Sequence, residues 1–178
     1  MKSAARSAKP GARKNPPLVL VALGSNLGDS VTLMREALGK LKTLAASRFR
    51  KSSLWQSTPV DCPPGSPPFI NAAIAFEPSA DETPESLLVK LQAFEQEFGR
   101  RPKKVLNEPR PLDLDLITFG SEVRATPQLI LPHPRAHLRR FVLEPLNEIA
   151  PDLVLPGQLK SIRELLAGLR TGEVVTRF

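Results

Sequence analysis

Cysteine, aromatic residues and long apolar runs are all scarce in this sequence of 178 residues. The one cysteine, Cys62, excludes a disulfide within the chain and favours a reducing compartment, the cytoplasm. No histidine lies near Cys62 in the sequence to act as its base, so we interpret it as a loop thiol rather than a nucleophile. No apolar run reaches the length of a membrane span, and no apolar segment of a secretory signal follows the first basic residues. These absences predict a cytoplasmic protein with no membrane partner.

Acidic residues are absent from residues 1–17, which hold five of the basic residues. This stretch is rich in Ala, Pro, Ser and Gly and has no apolar periodicity, which predicts a disordered basic tail. Without it the chain has a charge near +2, with no basic stripe and no interleaved aromatic residues, so nucleic acid is not an expected partner. Residues 18–178 are long enough for a single domain with a sizeable core.

Apolar periodicity predicts the element order strand, helix, strand, strand, helix, strand. The expected strands cover residues 18–23, 49–55, 69–76 and 112–119. The second helix is expected to begin at Thr83-Pro84-Glu85 and to end at Gly99. This order predicts an α+β fold, a ferredoxin-like βαββαβ sandwich with an antiparallel sheet and both helices on one face. The other face would be free to line a cleft, and two short C-terminal helical segments, 143–149 and 161–169, would complete the domain.

The last predicted strand carries two acidic residues on one face, Asp113 and Asp115. Alternate residues of a strand lie roughly 6.5–7 Å apart, so two such carboxylates repel each other unless a cation lies between them. Oxygen ligands without cysteine or histidine favour Mg²⁺ over Zn²⁺. The pattern alone is equally consistent with a half-exposed strand that has a charged solvent face.

A basic, irregular segment precedes the acidic strand. Its cationic residues are Arg100, Arg101, Lys103, Lys104 and Arg110. Runs of charge are usually only solvated, but cations beside a metal held by carboxylates are typical of a polyphosphate site. The juxtaposition therefore favours nucleotide binding. Residues 101–108 are expected to be mobile in the free protein and to close over bound polyphosphate.

Three further patterns have simpler interpretations. The glycines of residues 24–28 follow a strand, but the lysine of a phosphate-binding loop is missing, so we interpret them as a structural turn. His133 and His137 have the spacing of a helical zinc pair, but prolines on both sides of His133 oppose a helix. Phe69 and Asn71 share one face of a predicted strand and suit a flat heterocycle, although packing at the sheet edge is the simpler explanation.

Taken together, several stretches resemble the hydroxymethyl-dihydropterin pyrophosphokinase family of folate biosynthesis. They are Gly24-Ser25-Asn26-Leu27, Ser57-Thr58-Pro59-Val60, Phe69-Ile70-Asn71-Ala72-Ala73, Gly99-Arg100, Pro109-Arg110-Pro111-Leu112-Asp113-Leu114-Asp115, and Pro132-His133-Pro134 followed by Arg139 and Phe141. The resemblance covers about residues 18 to 156. The run from Pro109 to Asp115 with the other pieces in this order is the most specific part.

The resemblance implies a ferredoxin-like fold and the transfer of diphosphate from ATP to the hydroxymethyl group of 6-hydroxymethyl-7,8-dihydropterin, with release of AMP. It further implies that Asp113 and Asp115 hold two Mg²⁺ ions and that Arg100 and Arg110 neutralise the transferred group. The residues implied for ATP binding are Gln92, Glu95, Arg100, Arg110, His133 and Arg139. Phe69 and Phe141 would sandwich the pterin, and its edges would bond to Asn71, Ser57 and the backbone near Val60. We expect a monomer and nominate no general base.

The chain departs from the resemblance at three positions. Many members have a tryptophan where this chain has Asn107, and many have a basic residue where it has Pro102. Pro134 replaces an aromatic residue of some relatives. These departures bear on loop closure and affinity more than on the type of reaction.

Two alternatives compete with the enzyme. A ferredoxin-like module that binds RNA would stack bases on aromatic residues placed on its sheet, and only Phe69 qualifies here. A degenerate homologue would bind pterin or nucleotide without turnover. The presence of both aspartates and both loop arginines argues against that second alternative.

Overall fold

The computed structural model describes residues 16–102, 105 and 107–178. The predicted disordered tail lies outside these residues, apart from Pro16 and Pro17. Pro17 lies close to Gly120, where an added Cβ would be 2.8 Å from the Cβ of Pro17. The packed domain therefore includes one residue that the sequence pattern assigned to the tail.

Within the described residues up to Phe119, strands and helices follow the predicted order, except that the predicted second strand is divided into two. The strands are Val19–Ser25 (β1), Ser47–Lys51 (β2), Trp55–Ser57 (β3), Phe69–Glu77 (β4), Asp113–Phe119 (β5), Arg124–Ala125 (β6), Ile130–Leu131 (β7) and Val175–Arg177 (β8). The α-helices are Ser30–Leu41 (α1), Pro84–Glu97 (α2), Arg140–Ile149 (α3) and Ile162–Gly168 (α4). No helix in this part of the chain combines the length and the apolar character needed to cross a membrane.

The predicted second strand, 49–55, is in fact two strands, β2 and β3. Ser52 interrupts it, because its hydroxyl oxygen accepts a hydrogen bond of 2.9 Å from the backbone N–H of Ala73. The backbone N–H of Ser52 donates to the carbonyl oxygen of Ala73, also at 2.9 Å. The Ser52 hydroxyl thus takes the place of one backbone carbonyl in the hydrogen-bond ladder between the strands. Apolar periodicity does not reveal such an interruption.

The main sheet has the strand order β5-β1-β4-β3-β8, with β2 also pairing with β4, and all of these pairs are antiparallel. The central strand β1 has β4 on one side and β5 on the other. Its register places Gly24 between Asn71 of β4 and Asp113 of β5, and Ala22 beside Asp115. The small residues Gly24 and Ala22 of β1 therefore lie between the acidic strand β5 and the strand β4 that carries the Asn71 amide.

Both helices α1 and α2 pack on the same face of the sheet, as predicted. The Asp29 carboxylate caps α1 by accepting from the backbone N–H of Thr32, and Thr83 and Ser86 form a capping box at the start of α2. The apolar core on this face includes Val21, Met34, Leu41, Ile74, Leu87, Leu91, Leu114 and Leu116.

The opposite face of the sheet is not free, which corrects the expectation of an open cleft. Helices α3 and α4 form a second core there with residues of the central strands, among them Leu20, Ala73, Ile117, Val142, Leu146 and Ile162. The central strands are apolar on both faces, so each face must be covered to remove its apolar area from water. A cavity lined by Gly24, Asn71, Asp113 and Asp115 remains on this face.

Candidate active site

The two aspartates of β5 lie on the face that carries the cleft. Cross-strand pairing sets Asp113 opposite Gly24 and Asp115 opposite Ala22, while Leu114 points into the other core. Both aspartates line the same cavity. Strand alternation alone accounts for this placement.

Asp113 is held by two arginines that come from opposite ends of the basic loop. Arg100 Nη1 donates to Asp113 Oδ1 at 2.5 Å, and Arg110 Nη2 lies 2.6 Å from Asp113 Oδ2. The guanidinium of Arg100 also pairs with the buried carboxylate of Glu95. The charges form one connected network in which Arg100 joins α2 to β5.

Local backbone geometry explains the position of Arg100. Gly99 has a φ of +88°, and the backbone N–H groups of Gly99 and Arg100 donate to the carbonyls of Gln96 and Glu95 at the end of α2. This is the Schellman arrangement, which requires a left-handed residue after the helix and is most easily met by glycine. The Gly99-Arg100 pair thus fixes where the guanidinium leaves the helix.

Asp115 is a half-buried carboxyl group beside a second carboxyl group, that of Asp113. Burial, followed by the neighbouring Asp113 charge, raises the pKa of Asp115 to about 6, although Arg139, Arg110 and Arg100 act in the opposite direction. A raised pKa means that the ionised pair is disfavoured until more positive charge arrives. Two adjacent carboxylates of this kind fit a hard divalent cation with oxygen ligands. No group of three or more acidic, histidine or cysteine ligands occurs in the described residues, so water or substrate would complete the coordination.

Glu95 is the third acidic group of the network. Its Oε1 accepts from the backbone N–H of Leu114 at 2.7 Å and pairs with Arg100. Burial raises the pKa of Glu95 to about 7, although its bond from Leu114 and the Arg100 charge lower it. Helical spacing alone does not reveal this contact, because Glu95 lies beside the apolar stripe of α2 and not on it.

Glu95→Gln is expected to flatten the pH dependence of stability. The folded pKa of about 7 lies above the ordinary value, so the folded protein binds the proton more tightly than the unfolded chain does. Stability contributed by this group is therefore present below about pH 4.5 and is lost as pH rises through 7. Denaturant unfolding from pH 5 to 8 should show a decline in wild type that exceeds that of the variant by on the order of 2 kcal/mol. Parallel curves would contradict the assigned pKa.

The cavity beside the aspartates brings together all five residues predicted for pterin binding. Its lining is Ala22, Leu23, Gly24, Ser57, Thr58, Val60, Asp61, Cys62, Phe69, Asn71, Asn107, Arg110, Asp113, Asp115, Arg139 and Phe141. The buried Asn71 amide donates to Ser57 Oγ at 2.8 Å, which leaves its carbonyl oxygen free for a further partner among the bonds that the structure describes. The Cys62 thiol donates to the carbonyl of Val60 at 3.2 Å.

A guanidinium lies over each aromatic ring of the cavity. Arg110 Cζ is 5.6 Å from the centre of the Phe69 ring, and Arg139 Cζ is 5.4 Å from that of Phe141. Burial, and then Arg135, lowers the pKa of Arg139. The cations predicted for nucleotide and the rings predicted for pterin are therefore in direct contact.

The remaining residues predicted for ATP binding differ in position. The backbone N–H of His133 donates to the carbonyl of Ile117 on β5, and its Nδ1 accepts from the backbone N–H of Arg135 at 3.2 Å. Burial, then the charges of Arg139 and Arg135, lowers the pKa of His133 to about 4. The ring is thus neutral near pH 7 and keeps its Nε2 proton as a donor. Gln92 is exposed on α2 and does not line the cavity.

Asn26 is a buried residue for which the sequence patterns predicted no long-range contact. Its Oδ1 accepts from the backbone N–H of Arg110 at 2.9 Å, and its Nδ2 donates to the carbonyl of Pro67 at 3.3 Å. Its backbone N–H also donates to the carbonyl of Arg110. One side chain therefore holds the end of the basic loop and the end of the proline-rich loop together. An asparagine after a buried strand was the available signal, but its partners are distant in sequence.

The loop predicted to close over polyphosphate lies partly outside the described residues, because residues 103, 104 and 106 are not among them. Arg101, Pro102 and Val105 are exposed. Asn107 has a φ of +54°, and its amide donates to the carbonyl of Asp61 at 2.7 Å. Asn107 thus connects the basic loop to the proline-rich loop at the wall of the cavity.

A model of the 7,8-dihydro-6-hydroxymethylpterin-pyrophosphokinase (HPPK) family matches residues 20–151. The 2-amino-4-hydroxy-6-hydroxymethyldihydropteridine pyrophosphokinase of Bacillus subtilis is 41% identical over 137 residues, which cover 76% of this chain and 80% of the bacterial protein. The folic acid synthesis protein fol1 of Pneumocystis carinii is 38% identical over 139 residues, which cover 78% of this chain but only 18% of the fungal protein.

Solved structures agree with the architecture. The crystal structure of Plasmodium falciparum HPPK-DHPS wild type with SDX-DHP superimposes with a TM-score of 0.68 and 12% identity, covering 88% of this chain and 45% of that one. At this identity the likeness concerns the fold alone, and it confirms the predicted ferredoxin-like fold. The chain spans less than half of that HPPK-DHPS chain and less than a fifth of the fungal protein.

Proposed function

The chain belongs to the 7,8-dihydro-6-hydroxymethylpterin-pyrophosphokinase family and is a pyrophosphokinase of folate synthesis, and from this premise we propose how its residues divide the reaction. The substrates are ATP and 6-hydroxymethyl-7,8-dihydropterin. The diphosphate passes from ATP to the hydroxymethyl oxygen, and AMP leaves. One observation supports these residue roles most directly. Asp113, which pairs with Arg100 and Arg110, lines the same cavity as Phe69 and Phe141.

The acidic pair would hold Mg²⁺, and two ions is the number that the family resemblance implies. The oxygen donors of Asp113 and Asp115, and the raised pKa of Asp115, support a hard cation at this position. When bound, the metal supplies positive charge beside the polyphosphate. The protein's own cations supply the rest.

Arg100 and Arg110 neutralise charge that develops on the transferred diphosphate. Asp113 already holds both guanidiniums beside the cavity, and phosphate oxygens would replace part of that contact. Arg139 and the neutral His133 would bind the nucleotide phosphates, with His133 donating from Nε2. Gln92 and Glu95 would face the nucleotide side. For Glu95 the support is its pairing with Arg100, whereas for Gln92 it is the resemblance alone.

The pterin would lie between Phe69 and Phe141, with its polar edge on Asn71, Ser57 and the backbone near Val60. The described bonds of Asn71 are those that its amide nitrogen donates, so its carbonyl oxygen is the acceptor that supports an edge contact. Both rings must then exchange their guanidinium neighbours for the pterin face. Chemistry of this type depends on positioning and charge more than on covalent assistance.

We propose that the chain acts as a monomer, in the cytoplasm. The cavity already includes both aspartates and the five residues expected to bind the pterin, so the proposed reaction requires no residue from a second copy. The free Cys62 thiol fits a reducing compartment.

One assay tests the proposed function. Purified protein is incubated with MgATP, with and without 6-hydroxymethyl-7,8-dihydropterin, and AMP is measured. AMP should form only when both substrates are present. Binding of both substrates without AMP release would instead support the degenerate homologue, and binding of RNA oligonucleotides without binding of pterin would support the RNA-binding module.

Asn107→Trp is expected to tighten pterin binding several-fold. Asn107 lines the cavity beside Asp61, so an aromatic ring there would add stacking area over the bound heterocycle. Isothermal titration with pterin and a non-hydrolysable ATP analogue measures the change. Asn107→Ala is the matched control, since it removes the bond to Asp61 without adding a ring. Equal affinities of wild type and the tryptophan variant would show that this part of the loop does not cover the pterin.

A further inference from the structure

The C-terminal arm, defined here as Glu173 to Phe178, borders the cavity from outside the matched range of residues 20–151. Its strand β8 pairs with β3, the strand that ends at Ser57. The backbone N–H of Thr58 donates to the carbonyl of Val174 at 3.1 Å, and the Thr58 hydroxyl accepts from the Val174 N–H at 3.3 Å. The arm therefore supports the wall that carries Ser57 and Thr58.

The same arm reaches the opposite wall through one carboxylate. Glu173 Oε2 accepts from the backbone N–H of Phe141 at 3.2 Å. Phe141 lies in the first turn of α3, where the N-cap residue Arg139 makes no side-chain capping bond. A carboxylate at a helix N-terminus is favoured both as an acceptor and by the helix dipole. Glu173 thus provides the cap that the sequence of α3 itself lacks.

Glu173 also acts on the charge of Arg139. Its carboxylate raises the pKa of Arg139, against the lowering by burial and by Arg135. Arg139 in turn lies over the Phe141 ring, and both line the cavity. One acidic side chain is therefore linked to the aromatic residue and to the cation on the same wall.

We propose that Glu173 is a positioning residue: by capping α3 it fixes the Phe141 ring against the pterin. This proposal rests on the proposed function of the cavity. The role requires a hydrogen-bond acceptor on the side chain, which Glu173→Gln keeps and Glu173→Ala removes.

Steady-state kinetics on the full chain test whether the cap positions Phe141. Glu173→Ala should raise the KM for pterin about fivefold, the effect expected when one capping bond is lost, while kcat stays within about twofold. Glu173→Gln should return the pterin KM to near the wild-type value. The KM for ATP should stay near the wild-type value in both variants, because the cap acts on Phe141 and not on the phosphates. Thr176→Ala, an exposed position in β8 of the same arm, is the control and should match wild type.

A measurement without substrates keeps the proposal separate from the proposed function. Hydrogen exchange of the Phe141 amide, followed by NMR in the ligand-free protein, should be at least about tenfold faster in Glu173→Ala than in wild type or Glu173→Gln. Unchanged exchange would overturn the cap. Faster exchange with an unchanged pterin KM, in an enzyme that releases AMP normally, would overturn the positioning role. Failure of wild type to release AMP at all would instead contradict the proposed function, whatever the exchange result.

Discussion

Asp115→Asn is expected to lower AMP release from MgATP and pterin by about a thousandfold, while the protein stays folded. The amide has the shape of the carboxylate but cannot carry its charge, so one of the two anionic oxygen donors for the cation is lost. Stability should not fall, because the ionised Asp115 is disfavoured in the folded protein, as its raised pKa of about 6 indicates. Activity and stability are thus expected to move independently.

The measurement is a coupled AMP assay at saturating substrates, accompanied by thermal unfolding. Asp152→Asn is a matched control, since Asp152 is exposed and its only recorded ion pair in the described structure is with Arg163 on the surface. It should retain wild-type turnover. Normal AMP release by Asp115→Asn would remove the acidic pair from the proposed mechanism.

Arg110→Ala is expected to lower kcat by about a hundredfold or more while weakening ATP binding only a few-fold. Arg110 contacts Asp113 and lies over the Phe69 ring, so its charge is held where the diphosphate must pass between ATP and pterin. An interaction that strengthens mainly in the transition state affects kcat rather than ground-state affinity. Arg110→Lys should recover only part of the rate, because an ammonium lacks the planar fork of the guanidinium.

Single-turnover kinetics with separate measurement of ATP affinity distinguish these outcomes. Arg163→Ala serves as the control for loss of one arginine, since its side chain is 63% exposed on α4. A hundredfold loss of ATP affinity with normal kcat would mean that Arg110 contributes uniform binding, and its proposed role at the transferred group would then be wrong.

The elements that the sequence predicts correctly are those whose structure depends on interactions between neighbouring residues. The start of α2 follows from the proline after Thr83 and its end from Gly99, and both are observed as a capping box and a Schellman turn. Alternation in β5 placed Asp113 and Asp115 on one face. In each case the controlling interaction spans only a few residues, so the pattern contains the information.

The errors concern contacts between distant segments. The helices α3 and α4 were anticipated as short segments, yet their packing on the second sheet face was not, because a run of apolar residues does not say which face it covers. Glu95 lies beside the apolar stripe of α2, yet its side chain is buried against the backbone of β5. Ser52 divided a strand that looked continuous.

The sequence alone establishes the order of the elements up to β5, except for the division of one strand, together with the acidic pair, the basic loop before it and, through its motifs, the family. Contacts between distant residues require the folded chain: Arg100 and Arg110 meet on Asp113, Asn26 joins two loops, and Glu173 caps the start of α3 by accepting from Phe141, 32 residues earlier in the chain. Those contacts depend on the sheet bringing β1, β4 and β5 side by side, with Gly24 and Ala22 leaving space between the polar side chains. Local periodicity shows which way a side chain points, but only strand pairing and helix packing bring its partner to it.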